Sequence, residues 1–224
     1  MKIAVYGENN SENVLFLSGW GNRIGDPNMG WLFDLLVNNG YKVHAIEFPC
    51  NIKDFNREYL EPVKAYQEGL GPHIMLSHSL GGLVAAYCSA QTRSVYLSPW
   101  WGLYGGKLRG MMLSLACSLK SSLRILPIDF TRDEVGDLAT DEYWQTLPKK
   151  VSPSFVREIV KAQKAMPALS QDHIVFCTLK DTIVDLKSIS ERTHNIRLYK
   201  GHHELFSSST REHHGDEILA ALKE

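Results

Sequence analysis

The sequence predicts an α/β fold: a mostly parallel sheet flanked by helices, with a helical segment inserted late in the chain. Short runs rich in β-branched and aromatic residues alternate with longer segments at helical spacing, the pattern of a sheet covered on both faces. Several runs are almost continuously apolar, as strands buried on both sides are. From Trp100 to Leu169 the alternation stops, and helical patterns follow one another without a convincing strand.

The strand predictions depend on short runs of strand-forming residues that are bounded by Gly, Pro, Asn, Asp or Ser. Such boundaries end a strand because these residues favour turns over an extended ladder. The predicted strands are Lys2 to Tyr6, Asn13 to Leu17, Lys42 to Phe48, His73 to Leu76, Ser94 to Leu97, His173 to Leu179 and Asn195 to Tyr199.

The helix predictions depend on apolar residues at helical spacing and on end signals. Asn39-Gly40 is a typical helix C-terminus, because glycine readily adopts the left-handed conformation found there. Ser152-Pro153 is a typical helix start, since serine caps the helix and proline fits its first turn. The predicted helices are Gly30 to Asn38, Leu80 to Ala90, Ser154 to Met166 and Asp216 to Lys223.

Composition indicates one folded domain of ordinary globular type. The chain has 224 residues, of which 44% are hydrophobic and 22% charged, and this excludes collagen-like, coiled-coil and wholly disordered chains. Its 24 Lys and Arg residues against 25 Asp and Glu residues give a net charge of -1. The sequence has no conspicuous block of like charge, so it predicts neither a nucleic-acid partner nor an anionic membrane partner. We expect an uncharged small-molecule partner, and the oligomeric state stays open.

The N-terminus and the cysteines predict a cytoplasmic location. MKIAVYGENN lacks the apolar region and cleavage site of a secretory signal. The most apolar later stretch, Met111 to Leu119, is shorter than the roughly 20 residues that cross a bilayer, so no integral membrane segment is predicted. Cys50, Cys88, Cys117 and Cys177 are widely separated and have apolar neighbours. We interpret them as reduced core thiols, because zinc sites usually place two ligands within a few residues.

The strongest chemical signal is the segment Ser77-His78-Ser79-Leu80-Gly81-Gly82, between a predicted strand and a predicted helix. In a nucleophile elbow the central serine has strained backbone geometry, and the residues two before and two after it must be small. Ser77 and Gly81 satisfy that need, although Ser77 replaces the usual glycine. Ser79 is therefore the candidate nucleophile, with a serine-rich turn that only caps the helix as the alternative.

This segment resembles the G-H-S-x-G-G elbow of the α/β-hydrolase superfamily. In that superfamily the catalytic residues follow the chain order nucleophile, acid, histidine. The resemblance implies an α/β-hydrolase fold that is trimmed at the N-terminus, since the first predicted strand matches the second strand of the family. Independently of the resemblance, the sequence has no dinucleotide or PLP motif and no acidic or cysteine ligand at a matching spacing near its clustered histidines, so no cofactor and no metal are predicted.

Two later segments resemble the acid and histidine loops of that superfamily. Lys180-Asp181-Thr182-Ile183-Val184-Asp185 is similar to the acid loop, so the resemblance implies that Asp181 is the acid, with a simple turn as the alternative and Asp185 as a helix cap. Lys200-Gly201-His202-His203-Glu204-Leu205 follows the last strand. His203 is the implied base, because His-Glu-Leu is similar to the sequence after the catalytic histidine of monoglyceride-lipase and lysophospholipase relatives. His202 is the alternative.

The glycine-containing loop Ser18-Gly19-Trp20-Gly21-Asn22 occupies the place of the family's oxyanion loop. Acyl transfer needs two backbone N–H groups aimed at the developing oxyanion. By position these belong to Trp20 and to Leu80, the residue after the nucleophile. A phosphate-binding loop is the alternative, but the spacing matches neither common phosphate motif.

The inserted segment lies where the superfamily carries a helical cap. We predict an α/β-hydrolase core formed by residues 1–99 and 170–224, and a cap formed by residues 100–169. Leu126 to Val135 and Val151-Ser152-Pro153 resemble cap segments of the serine aminopeptidase S33-type group of lysophospholipases, monoacylglycerol lipases and carboxylesterases. Apolar residues near the start of the cap either line an acyl pocket or only pack the cap on the core. They include Trp100, Trp101, Tyr104, Met111 and Met112.

The resemblance implies a serine hydrolase of carboxylic esters, similar to esterases, monoacylglycerol lipases and lysophospholipases. A small neutral acyl ester agrees with the balanced charge. Glu47-Phe48-Pro49-Cys50-Asn51-Ile52 replaces a loop that borders the site in many relatives, so their substrate preferences do not transfer directly. A catalytically silent relative, which binds a partner or an apolar ligand through its cap, is the second hypothesis. Thioesterase, peptidase and acyltransferase activities share the acyl-enzyme step and stay open.

Overall fold

The computed structural model describes residues 1–88, 92–102, 118–119, 121–128, 130–169 and 172–224. Within these ranges a seven-stranded sheet forms the centre of the molecule, and a separate two-stranded ribbon lies in the inserted segment. The strands are β1 (Lys2–Tyr6), β2 (Glu12–Leu17), β3 (Tyr41–Glu47), β4 (Ile74–His78), β5 (Ser94–Leu97), β6 (Leu126–Pro127), β7 (Lys150–Val151), β8 (His173–Cys177) and β9 (Ile196–Leu198).

The sheet has the strand order β1-β3-β2-β4-β5-β8-β9. Only β1 runs antiparallel to its neighbour, and the other pairs are parallel. The carboxyl ends of the parallel strands therefore open on one edge, where α/β sheets form their binding crevices. This architecture confirms the predicted fold class.

Helices cover both faces of the sheet. α1 and α8 pack on one face through residues such as Leu32 and Ile218, whereas α2, α3 and α6 pack on the other through residues such as Val63, Leu83 and Ile159. The helices are α1 (Pro27–Asn38), α2 (Glu61–Leu70), α3 (Leu80–Ala85), α4 (Arg132–Val135), α5 (Asp141–Thr146), α6 (Pro153–Lys164), α7 (Leu186–Ser190) and α8 (Gly215–Lys223).

All seven predicted strands of the central sheet are present, although β4 extends two residues further, to His78. The helical stretch Asn56–Leu70, a π-helical turn followed by α2, was not predicted. The insertion contains the β6–β7 ribbon, so the expectation that it lacks strands was wrong. A two-residue strand has too few positions to show an alternating pattern, which explains that error.

Part of the inserted segment shares the main core. Phe155 and Ile159 of α6 are almost fully buried in the same cluster as Leu83 of α3. The division into a core and a cap at residues 100 and 169 stays a prediction. Tyr104, Met111, Met112 and Cys117 lie outside the described residues.

Within the described ranges, no helix combines the length and the apolar composition that a bilayer crossing requires. Cys50 and Cys177 are buried free thiols, and Cys88 is a partly buried one. Burial raises the pKa of Cys88 to about 12 and that of Cys177 to about 11, which disfavours the reactive thiolate form.

Candidate active site

Ser79 occupies a strained turn between β4 and α3. Its φ of 50° and ψ of -115° lie outside the regions that L-residues usually adopt. Backbone hydrogen bonds fix this geometry, since the N–H of Ser79 donates to Leu97 O and its carbonyl accepts from Gly82 and Trp100. A Cβ atom at Gly81 would lie 2.0 Å from Leu17 O. The close approach of helix and strand therefore requires glycine there, as the elbow pattern predicts.

Three predicted site residues meet at the carboxyl edge of the sheet. His203 Nε2 lies 3.0 Å from Ser79 Oγ, and His203 Nδ1 lies 2.8 Å from Asp181 Oδ2. Because the carboxylate can only accept, Nδ1 carries the proton and Nε2 faces the serine hydroxyl as an acceptor. Serine, imidazole and carboxylate thus form one continuous hydrogen-bonded chain, in which all three side chains are buried.

Asp181 follows β8 and is held by its own loop. Its Oδ1 accepts hydrogen bonds from the backbone N–H groups of Ile183 and Val184, both at 2.9 Å. Asp185 instead caps α7 by accepting from Lys187 and Ser188 N–H groups. This confirms the capping role expected for Asp185.

His202, the alternative histidine, lies apart from this chain. His202 lines a separate surface groove together with Asp137, Lys180 and Lys200. Its backbone N–H donates to Ser208 Oγ, and its carbonyl accepts from the Tyr199 hydroxyl. The structure therefore brings His203, and not His202, to Ser79.

The pKa values of Asp181 and His203 are shifted in opposite directions. Burial raises the pKa of Asp181, but the facing His203 and the two backbone N–H donors outweigh it, so the net pKa lies below the ordinary value. Burial likewise lowers the pKa of His203, and the Asp181 carboxylate outweighs that effect, so the net pKa is raised. The pair is thus suited to an imidazole that gains a proton next to a fixed negative charge.

The two residues predicted as oxyanion donors belong to different elements. Leu80 is the first residue of α3, so its N–H has no carbonyl acceptor within the helix. Trp20 lies in the loop after β2, and its indole N–H donates to Cys50 O at 2.9 Å. That bond connects the Trp20 loop to the segment Glu47 to Ile52, which differs from the family pattern.

A cavity of about 50 Å³ lies at Ser79. Trp100 lines it, in agreement with one reading of the apolar residues near the start of the insertion. Trp101 instead packs in the core, where it is 1% exposed and its indole N–H donates a hydrogen bond to Gly82 O. It is not among the described residues that line the cavity. The lining comprises Trp20, His78, Ser79, Trp100, Phe130, Val135, Tyr143, Leu147, Ile183, His203 and Glu204.

A buried polar network beside the cavity was not predicted. Asn22 Nδ2 donates to Glu204 Oε1 and to the Tyr143 hydroxyl, both at 2.7 Å. Asn22 Oδ1 lies 3.2 Å from His78 Nδ1. Part of this network could have been suspected from the sequence, because Asn22, His78 and Glu204 are polar residues within the oxyanion, elbow and histidine motifs. Tyr143 could not, since no neighbouring sequence motif connects it to those three residues.

The first half of the described insertion contacts the acid and histidine loops. The N–H groups of His203 and Glu204 donate to the carbonyls of Glu134 and Val135, at 3.3 and 2.8 Å. The Thr182 hydroxyl donates to Glu134 Oε1 at 2.7 Å. The segment around α4 therefore supports the loops on which Asp181 and His203 lie.

In the part of the chain that the structure describes, no group of three or more His, Cys, Asp and Glu side chains could hold a metal ion. The chemistry available from the described residues at this edge is that of a serine, an imidazole and a carboxylate. Such a set can transfer an acyl group through the serine oxygen.

Comparison of the structure with solved structures identifies the fold. A monoacylglycerol lipase from Paleococcus ferrophilus is 16% identical, with a TM-score of 0.79 over 99% of this chain and 97% of that one. A soluble variant of a Saccharomyces cerevisiae monoglyceride lipase is also 16% identical, with a TM-score of 0.78 over 99% and 91%. An esterase from Exiguobacterium antarcticum is 13% identical, with a TM-score of 0.66 over 99% and 95%.

None of the curated proteins matches the chain by sequence. The model of the alpha/beta hydrolase family matches residues 14–218, which include the elbow, the acid loop and the histidine loop. The chain therefore belongs to the alpha/beta hydrolase family.

Proposed function

We propose that the protein is a serine hydrolase that cleaves small uncharged carboxylic esters through an acyl-enzyme on Ser79. The observation that carries this proposal is the hydrogen-bonded chain from Ser79 Oγ through His203 to Asp181, with distances of 3.0 and 2.8 Å. The strained backbone at Ser79 supports it as well, because that geometry exposes a nucleophile above its sheet.

In the first half-reaction the Ser79 oxygen attacks the ester carbonyl carbon, and His203 Nε2 takes the serine proton. The backbone N–H groups of Leu80 and Trp20 donate to the oxyanion of the tetrahedral intermediate. As the intermediate collapses, the carbon–oxygen bond to the alcohol breaks, and His203 returns its proton to the departing alkoxide. The acyl group is left on Ser79.

In the second half-reaction water attacks the acyl carbon while His203 takes a proton from that water. Collapse of the second intermediate releases the carboxylic acid and returns the proton to Ser79. Asp181 stays ionised throughout, holds the tautomer of His203 and stabilises the imidazolium. The direction of its lowered pKa agrees with that role.

The cavity walls favour an uncharged acyl group. Apart from the polar groups around Ser79, the described lining is formed by aromatic and aliphatic side chains such as Trp20, Trp100, Phe130 and Leu147. A charged acyl chain would lose its hydration there without a compensating partner. The similar structures include a monoacylglycerol lipase and an esterase. For this protein we propose an ester with a short acyl chain as the substrate.

The free, partly or fully buried cysteines support a reducing compartment, so we propose a cytoplasmic location. Localisation of a tagged chain by cell fractionation tests this separately from the enzymatic proposal.

The test of the enzymatic proposal compares the wild-type protein with Ser79→Ala. We expect the wild type to hydrolyse p-nitrophenyl butyrate and to be labelled by a fluorophosphonate, and Ser79→Ala to lose both. Ser190→Ala, at an exposed serine in α7, is the matched control and should keep both. A wild-type protein that shows neither reaction, or a Ser79→Ala protein that keeps full activity, would support the alternative of a catalytically silent binding protein.

A further inference from the structure

The side chain of Asn22 joins three loops at the candidate site. Asn22 lies at the end of the loop Ser18 to Asn22, called here the oxyanion loop, which also carries Trp20. Its Oδ1 lies 3.2 Å from His78 Nδ1 on the elbow, and its Nδ2 donates at 2.7 Å to Glu204, the residue after His203. One amide thus contacts the elbow and the histidine loop from the oxyanion loop.

The backbone of the oxyanion loop packs closely against this amide at Gly19. A Cβ atom at Gly19 would lie 2.4 Å from Asn22 Oδ1 and 2.6 Å from His78 Nδ1. The N–H of Asn22 also donates to the carbonyl of Gly19, at 3.3 Å. Trp20 lies inside this turn, so its backbone N–H belongs to the same short segment as the Asn22 side chain.

Glu204 is the fixed end of the connection. It is 3% exposed, and its carboxylate accepts from Asn22, from the Tyr143 hydroxyl and from the Ser207 hydroxyl, at 2.7, 2.7 and 2.6 Å. Its backbone N–H donates to Val135 O. A buried carboxylate with three donors is held in a defined direction, and removal of one donor leaves a buried acceptor partly unsatisfied.

We propose that Asn22 and Glu204 are positioning residues, which together hold the Trp20 backbone N–H in line with the oxyanion that forms at Ser79. The pair acts through hydrogen bonds, and neither side chain is bonded to Ser79 Oγ or to the His203 ring, whose partners are each other and Asp181. This inference rests on the proposed function, because it concerns the transition state of that reaction. It extends the site by a connection between the oxyanion loop and the histidine loop that is independent of the bond between His203 and Asp181.

The test measures kcat and KM for p-nitrophenyl butyrate and the inhibition constant of a trifluoromethyl ketone, which forms a charged tetrahedral adduct on serine. We expect Asn22→Ala to lower kcat by about 100-fold, the effect of losing one oxyanion donor, with KM within about twofold because ground-state binding is unchanged. The inhibition constant of the ketone should rise by a similar factor, since the adduct resembles the transition state.

Glu204 provides the matched pair of variants. Glu204→Gln keeps an oxygen that accepts from Asn22 and Tyr143, so kcat should stay within about threefold of wild type, whereas Glu204→Ala should lose as much as Asn22→Ala. The double variant Asn22→Ala/Glu204→Ala should be no slower than either single variant, because the two residues act through one connection. Equal losses in Glu204→Gln and Glu204→Ala would instead assign the effect to charge and overturn the proposal.

Asn10 is the control for general destabilisation. Its Nδ2 also makes two hydrogen bonds, to the carbonyls of Val37 and Tyr41, at the amino end of β3 and away from the site. Asn10→Ala should lower the melting temperature and leave kcat unchanged. If Asn22→Ala does not fold, Asn22→Ser carries the same expectation, since its hydroxyl is too short to span the distance to Glu204.

The outcomes separate this inference from the proposed function. A wild-type protein that neither hydrolyses the ester nor reacts with a fluorophosphonate contradicts the proposed function, and the inference with it. An active wild type with an Asn22→Ala variant whose kcat is within about threefold of wild type, or whose loss is confined to KM, overturns only the positioning role.

Discussion

The imidazole Nε2 of His203 lies 3.0 Å from Ser79 Oγ, although 124 positions separate the two residues in the chain. Their contact depends on the sheet, because β4 and β9 end at the same edge and the elbow and the histidine loop continue from those ends. The neighbouring His202 has the same side chain one position away and lines a different groove. The two histidines therefore differ in their position at this edge of the sheet, and only His203 can bond to Ser79.

The two histidines are predicted to differ by orders of magnitude in a kinetic assay. His203→Ala should lower kcat for p-nitrophenyl butyrate by about 10⁴-fold or more, because Ser79 loses the group that takes its proton. His202→Ala should stay within about threefold of wild type, since the backbone N–H of His202, and not its ring, bonds to Ser208. Comparable losses in the two variants would contradict the assignment.

We predict that kcat/KM falls at acid pH and that the midpoint of this fall lies above pH 6.5. His203 must be neutral to accept the serine proton, and its pKa is raised above the ordinary value of 6.5 by the Asp181 carboxylate, which outweighs the opposing effect of burial. Activity should therefore rise with pH through that raised pKa. A stopped-assay series from pH 5 to pH 9 measures the midpoint.

Asp181→Asn tests the cause of that midpoint. Removal of the negative charge should move the acid limb to lower pH, because the imidazolium loses its stabilising partner. The rate on the plateau should also fall by about 10⁴-fold, since the amide no longer holds the productive tautomer. An acid limb that does not move would show that another group sets the midpoint.

Acyl-chain preference is predicted to favour short chains. A group the size of a water molecule needs roughly 10–15 Å³ of such volume. The cavity of about 50 Å³ therefore has room for about four of them. We expect kcat/KM to be highest for p-nitrophenyl esters with acyl chains of about two to four carbons and to fall for longer chains. A series from acetate to laurate measures this, and a maximum at laurate would contradict it.

Phe130→Ala is predicted to shift this preference to longer chains. Phe130 lines the cavity and is only partly buried, so its truncation should enlarge the site at a modest cost in stability. Leu198→Ala, on the exposed surface of β9 at 58% exposure, is the control and should leave the chain-length profile unchanged.

Substitution by alanine is predicted to change the free energy of unfolding in opposite directions at Gly81 and at Gly69. Gly81→Ala would place a methyl group 2.0 Å from the carbonyl oxygen of Leu17, between strand and helix backbones that have no room to separate. We expect loss of soluble protein or a drop in unfolding free energy of more than about 3 kcal/mol.

Gly69→Ala is the matched substitution within α2. Nothing lies within 4 Å of the added methyl group, and alanine favours a helix over glycine by about 0.5–1 kcal/mol. We expect a small gain in unfolding free energy, measured by urea denaturation. A loss at Gly69 as large as the loss at Gly81 would mean that the effect does not come from the contact with Leu17.

The strands and the motif order could be predicted because they are local properties of the sequence. Continuous apolar runs such as Val14 to Leu17 are buried on both faces of a parallel sheet, and small residues around Ser79 are required by a tight turn. The helical stretch Asn56–Leu70 was missed although Tyr59, Leu60 and Val63 follow helical spacing. Charged and polar residues such as Arg57, Glu58, Glu61 and Lys64 surround these three and weakened the apolar pattern.

The sequence by itself predicted the α/β architecture and the strained turn at Ser79, because both depend on backbone preferences over a few residues. Its resemblance to the α/β-hydrolase superfamily implied Asp181 and His203 as the acid and the histidine. The tertiary structure placed His203, and not His202, beside Ser79, and it placed Trp100, and not Trp101, in the described cavity lining. It alone joined Asn22 to Glu204 across 182 positions. Such contacts depend on which strand ends share an edge and on how buried polar groups find partners, and neither is encoded in local spacing.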